Sequence, residues 1–234
     1  MTVVEMSSEI TVKLVRAMAS DDMVVQAAQV SSKGENNPQT EAPRLINALM
    51  KGKHGSPFEH NAFTFFVEAP IFVFREWHRH RISSINEMSG RYTKLIPKFY
   101  TFPETRNIVM EDDGTKMRPR MHVGDEDQIK LIQATDQTVA QIAWNAYEHR
   151  DQAGIVLEAA RSVLPLSTYS QMYWTVNARS LMNFLSLRVE SEDSAVKSYP
   201  QWEIQLGAEQ MEEAFKELMP HTHAAFIANG RVAP

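Results

Sequence analysis

From Phe63 to Arg81 the chain moves from apolar residues to arginine almost without a polar boundary, and this confines what it can fold into. Phe63 to Val67 is aromatic and β-branched and predicts a strand. Ala69-Pro70 restarts the chain, because proline suits the first turn of a helix. Ile71, Phe74, Trp77 and His78 then recur at i, i+3, i+6 and i+7, predicting a short buried helix over Ile71 to His80, with a strand as the alternative. Charges that follow such a segment sit near the core, where an unpaired arginine is costly.

The remaining pattern is helix-rich. A strand is expected around Ile10, Val12, Leu14 and Val15, and a helix from Asp22 to about Val30. Ser31 to Thr40 carries turn residues, and a helix follows from Glu41 to Met50, ended by Gly52 and Gly55. Met110 to Asp127 is charged and glycine-bearing and reads as an exposed excursion. Gln128 to His149 predicts a long amphipathic helix with Ile129, Ile132, Val139, Ile142, Ala143 and Ala146 inward. Asp151 to Val163 predicts another helix, Tyr173 to Val176 a strand, Ser180 to Val189 a helix, and Trp202 to Leu218 a last helix closed by Pro220. There is no repeat and no regular βαβ alternation. The expected fold is therefore α+β, a single domain over 1–234 with a small, mostly antiparallel sheet flanked by helices.

Composition narrows the function. The net charge of −5 and pI near 5.9 argue against a general nucleic-acid binder. No apolar stretch is long enough to span a membrane, and Met1 to Glu5 has no signal-peptide character, so the expected location is the cytoplasm. With no cysteine there is no disulfide, no thiolate metal site and no Cys nucleophile. No G-x-G-x-x-G occurs, so no Rossmann dinucleotide site is visible.

Against this acidic background, Arg75, Arg79, Arg81, Arg91, Lys94 and Lys98 face only Glu76 and Glu87, a local net of +4. Guanidinium forks, the hydroxyls of Ser84 and Ser89, and the close approach allowed by Gly90 suit a phosphorylated small molecule. Two other classes fit parts of the pattern. A basic nucleic-acid-binding module could be built on Arg75 to Lys98, and a metal hydrolase on His54, His60, His78 and His80, although no H-E-x-x-H spacing supports the latter.

The run RHRISSINEMSGR, Arg79 to Arg91, resembles the RHRxxSxxxxSxR signature of the flavin-dependent thymidylate synthases, the ThyX family. GKHGSPFEH (Gly52 to His60), RSVLPLSTYSQMYWTVNARSLMNFLSLR (Arg161 to Arg188) and QWEI (Gln201 to Ile204) continue the likeness. The resemblance implies synthesis of dTMP from dUMP, with methylenetetrahydrofolate as one-carbon donor, FAD as hydride carrier and NADPH as reductant. It also implies a homotetramer with shared sites, with neither nucleic acid nor membrane as partner. The absence of cysteine agrees with that chemistry. For dUMP it implies Glu76, Arg79, Glu87, Ser89, Gly90, Arg91, Arg161 and Arg188, with Arg188 catalytic beside the uracil ring. For FAD it implies Ser31, His54, Ser56, Arg79, His80, Arg81, Ile82, Glu87, Asn177, Arg179 and Asn183, with no metal.

The likeness departs in two places. Residues 192–198 form an apparent insertion that leaves Tyr199 where the family often has a flavin-contacting histidine, and Glu76 stands where many members have glutamine. At about 100° per residue, Arg179 and Asn183 share a helix face about 40° apart, while Arg188 lies about 180° from Arg179. That geometry predicts that the two arginines serve different ligands or a site shared between subunits.

Overall fold

Alternation and capping explain where the elements begin and end. The computed structural model describes residues 2–33, 41–111 and 120–234, and only the main chain of 31–33. The elements in order are β1 (Glu5–Ser7), β2 (Thr11–Met18), α1 (Asp21–Lys33), α2 (Ala42–Lys51), β3 (Ala62–Pro70) and α3 (Ile71–Trp77). Next come β4 (Ser84–Glu87), β5 (Lys98–Tyr100), β6 (Asn107–Met110), β7 (Met121–Val123) and α4 (Glu126–Gln152). The chain closes with α5 (Leu157–Ala160), β8 (Tyr169–Val176), α6 (Ala178–Arg188), α7 (Trp202–Leu218) and α8 (Pro220–Ala228). Single 3₁₀ turns occupy Ser56–Glu59 and Arg161–Val163. This is the α+β architecture expected, with small sheets flanked by helices.

The residues form two compact units, each drawn from three stretches of chain. The first comprises Met1–Glu9, Glu68–Arg75 and Glu87–Gln171. In it β1 and β5 pair in parallel, Glu5 opposite Lys98 and Ser7 opposite Tyr100, while β6 and β7 are antiparallel. Its core gathers Val4, Leu95, Phe99, Ala140, Trp144, Tyr147 and Ala160. Asp125 caps α4 by a reciprocal pair with Gln128, which fixes the helix start.

The inward stripe of α4 is Ala140, Ala143, Trp144 and Tyr147, whereas Val139 and Ile142 are exposed, contrary to the face expected. Two large aromatics three residues apart set the buried face, and the aliphatic residues rotate outward. The helix expected over Asp151 to Val163 is also interrupted. Gly154 takes φ +80°, a left-handed turn that ends α4 before the four-residue α5 begins.

The second unit comprises Ile10–Val67, Glu76–Asn86 and Met172–Pro234. It carries most of a four-stranded sheet of order β2-β3-β8-β4. Along β3 and β8, Thr64 meets Thr175, Phe66 meets Tyr173 and Glu68 meets Gln171, so positions descend on one strand as they rise on the other, an antiparallel register. Phe63, Phe65 and Val67 alternate inward on β3, as the sequence period requires. Phe65 and Trp77 both pack on Trp174, Trp77 and Trp174 on Phe184, and Phe63 on Phe215 of α7. Gly207 lets α7 approach this cluster, since a Cβ there meets Trp77 at 2.9 Å and Ile10 at 3.3 Å.

Helix α7 ends at Leu218 as expected but is not the last, since Pro220 starts α8, where proline at the first helical position costs no hydrogen bond. Residues 34–40 of the expected turn and residues 112–119 of the expected excursion lie outside the described residues. The segment 192–198, expected as an insertion, is held by Ala195 N donating to Gly230 O at 2.9 Å. Among the described residues no helix is long and apolar enough to cross a membrane.

Candidate active site

The second unit contains a half-open cavity of about 640 Å³, within the range usual for small-molecule sites. Arg79, His80, Arg81 and Ile82 reach it from the segment after α3. Trp174 and Val176 reach it from the end of β8, and Arg179, Ser180, Asn183, Leu187 and Arg188 from α6. Glu59, Ala233 and Pro234 complete the wall. Four arginines against one glutamate make it strongly electropositive, while Trp174, Val176, Ile82 and Leu187 offer apolar surface. Those donors fit a ligand carrying both phosphates and planar rings, as a flavin dinucleotide does.

Helix α6 is built to present this face. The Asn177 side-chain oxygen accepts from Ser180 N at 2.8 Å and caps the first turn. Ala178, Leu181, Met182, Phe184 and Leu185 are buried, leaving Arg179, Asn183 and Leu187, spaced by four, toward the cavity. The capping bond commits the oxygen of Asn177, one of the residues expected to hold FAD, and Asn177 is not part of the cavity wall.

Arg188 is the most constrained of the predicted residues. Its Nη1 lies 3.1 Å from Glu76 Oε2, its Nη2 donates to the Glu76 main-chain oxygen at 3.3 Å, and its Nε donates to His80 Nε2 at 3.0 Å. A guanidinium only donates, so His80 Nε2 must be bare and the ring proton must sit on Nδ1. Burial first, and the charges of Arg188 and Arg79 next, push His80 down to about 4, so it is neutral at pH 7. Phe184 packs edge-on to the same ring at 4.7 Å.

Arg179 and Arg188 line one cavity although they leave α6 about 180° apart. Arg188 is the last residue of α6, and its long side chain turns back to Glu76 and His80.

The other predicted residues divide clearly. His54, beside Gly52, and Ser56, opening a 3₁₀ turn, belong to the second unit but not to the cavity wall, and the Ser31 side chain lies outside the described residues. Glu87, Ser89, Gly90, Arg91 and Arg161 belong to the first unit. There Glu87 accepts from Ser170 Oγ at 2.8 Å, and Arg91 pairs with Glu158 at 2.8 Å. Gly90 is buried under Arg161, with a Cβ 3.3 Å from Arg161 Cδ. Among the described residues no three His, Cys, Asp or Glu side chains converge on a metal position.

Sequence reasoning missed Glu59, Trp174, Val176, Ser180, Leu187, Ala233 and Pro234. The spacing of Leu187 from Asn183 was a usable signal, whereas Trp174 reads as core and Pro234 reaches the cavity only through the tertiary path of the chain.

The family model described as thymidylate synthase complementing protein matches residues 13–221. A flavin-dependent thymidylate synthase from Streptomyces coelicolor is 47% identical over 241 residues, covering 99% of this chain and 96% of the relative. One from Tropheryma whipplei is 48% identical over 232 residues, covering 97% and 96%. The crystal structure of a UMP/dUMP methylase, PolB from Streptomyces cacaoi, bound with 5-Br UMP, superposes with TM-score 0.92 at 45% identity, covering 100% of both chains. Fold and relatives together define an α+β enzyme with an electropositive cavity. The chain belongs to the thymidylate synthase complementing protein family, the flavin-dependent thymidylate synthases.

Proposed function

We propose that this chain methylates dUMP to dTMP, with the cavity of the second unit as its FAD site, methylenetetrahydrofolate as carbon donor and NADPH as reductant. The observation that carries this is the convergence of Arg79, Arg81, Arg179 and Arg188 with neutral His80 on one cavity, in a chain of this family. A bound FAD supplies hydride transfer. Arg79, Arg81 and Arg179 bind phosphate oxygens, and Trp174 with Val176 gives planar rings a dry surface. Arg188 holds its guanidinium against Glu76 and His80, ready to stabilise negative charge on a uracil ring that has lost its N3 proton. Ser89, Gly90, Arg91 and Arg161 are assigned to dUMP, and Ser31, His54, Ser56, Glu87 and Asn177 to FAD, on the resemblance of their motifs. The same resemblance supports a homotetramer and a single catalytic domain, and the composition supports a cytoplasmic location.

The test is reconstitution of purified protein with FAD, followed by chromatographic detection of dTMP from dUMP, methylenetetrahydrofolate and NADPH. A parallel arm replaces dUMP with UMP, because the similar PolB is a UMP/dUMP methylase. The expected result is a yellow protein that forms dTMP. Protein that neither binds FAD nor oxidises NADPH overturns the proposal.

A further inference from the structure

Arg179 carries one of the four cationic groups of the cavity, and it is held from three sides by residues to which the resemblance assigns no ligand. Glu59 Oε1 accepts from its Nη1 at 2.5 Å, and the main-chain oxygen of Pro234 accepts from its Nε at 2.7 Å. Beneath the guanidinium lies Gly55. A Cβ on Gly55 falls 2.5 Å from Arg179 Nε and Cζ and 2.9 Å from Pro234 O, so no other residue leaves that seat open. Gly55 has φ −77° and ψ −31°, ordinary right-handed values. Its lack of a side chain therefore answers a steric need, not a conformational one. The two acceptors engage Nε and Nη1 and leave the two Nη2 hydrogens without a partner among the described residues.

The geometry points to Glu59 as a positioning residue that, with Gly55 and Pro234, seats Arg179 so that its Nη2 edge is offered to a phosphate of the flavin dinucleotide. This rests on the flavin reading of the cavity. A free arginine side chain samples many rotamers, and ordering it when ligand arrives weakens binding; a side chain already anchored at two nitrogens avoids that cost. The carboxylate has an opposing effect, since its charge lowers the potential a phosphate meets. Only the anchored geometry makes its removal harmful. Glu59 and Arg179 are both about half exposed, so the pair contributes little to folding and a loss of flavin affinity in its variants is separable from a loss of structure.

The experiment is fluorescence titration of FAD onto flavin-stripped protein, with the unfolding midpoint of the stripped form measured alongside. The variants are Glu59→Ala, Glu59→Gln, Gly55→Ala and Arg179→Ala. Glu59→Ala is expected to weaken FAD binding about tenfold, as loss of a hydrogen bond to a charged group does. Glu59→Gln, whose amide oxygen still accepts, is expected to stay within about threefold of wild type. Gly55→Ala should match Arg179→Ala, because its methyl group displaces the guanidinium. The two Glu59 variants and Arg179→Ala should keep the wild-type unfolding midpoint, whereas Gly55→Ala, whose methyl also meets the Pro234 main-chain oxygen at 2.9 Å, should lower it.

Three results overturn the inference. If both Glu59 variants bind FAD more tightly, Glu59 acts only as a repelling charge. If they bind as wild type does while Arg179→Ala is weakened, Arg179 needs no seat. If Arg179→Ala itself keeps full affinity, the flavin reading of this wall fails instead.

Discussion

Replacing Arg188 with alanine tests the catalytic centre most directly. The guanidinium makes three contacts, and all of them land on Glu76 and His80. Its removal leaves Glu76 without its cation and His80 Nε2 without its donor. Because the Glu76 side chain is about a third exposed, water compensates in part, and the stability loss should be only about 1 kcal/mol. The kinetic loss should be larger. Removing an oriented donor from a developing anion costs about 3 kcal/mol, on the order of a hundredfold or more in rate. His80 should also titrate higher than about 4, since one of the two charges that depress it is gone. Burial, the larger cause, remains, so it should stay below the ordinary 6.5. Arg79, Arg81, Arg179 and Asn183 still wall the cavity, so the variant should purify yellow and still accept electrons from NADPH. Lysine at 188 should not restore the rate, because a point charge cannot reach Glu76 and His80 together. Flavin content, flavin reduction and dTMP formation are measured on one sample, with the His80 ring followed by NMR. dTMP formation within a few-fold of wild type, or loss of flavin in parallel with it, refutes the assignment.

Two further predictions concern the frame around the cavity. Glu212 accepts from Arg231 Nη1 and Nη2, each at 2.7 Å, and pairs with His223 at 2.9 Å. Burial alone raises its pKa, but these partners overcome burial and hold it at about 2, below the ordinary 4.5. A depressed carboxylate stabilises fully above 4.5 and loses that contribution as pH falls toward 2, here about 3 kcal/mol. Glu212→Gln should therefore flatten the acid-unfolding profile over that window, and an unchanged profile counts against the pair. Gly207→Ala should destabilise by about 1–3 kcal/mol, because the new methyl meets the Trp77 ring at 2.9 Å where Trp174 and Phe184 leave it no retreat. An unfolding midpoint unchanged in calorimetry shows that the ring can yield.

Much of this was legible in the sequence because it is local. The alternation Phe63, Phe65, Val67 is a strand whatever surrounds it, Asn177 two residues before Arg179 is a cap, and the spacing of Arg179 and Asn183 sets one helix face. The arginine cluster between Arg79 and Arg91 put Arg79 and Arg81 forward as site cations through side-chain type alone, and both line the cavity. Tertiary structure decided everything that depends on distance along the chain. Which face of α4 turns inward followed from Trp144 and Tyr147 finding Phe99 and Leu95, not from the hydrophobic count. Arg188 joined Arg179 in one cavity because a long side chain at a helix end can turn back, which an angle per residue cannot express. Glu59 and Pro234 meet Arg179 across separations of 120 and 55 residues. No local propensity encodes such an encounter. It exists only once the apolar residues of the second unit have collapsed and brought the ends of its three segments to the same wall.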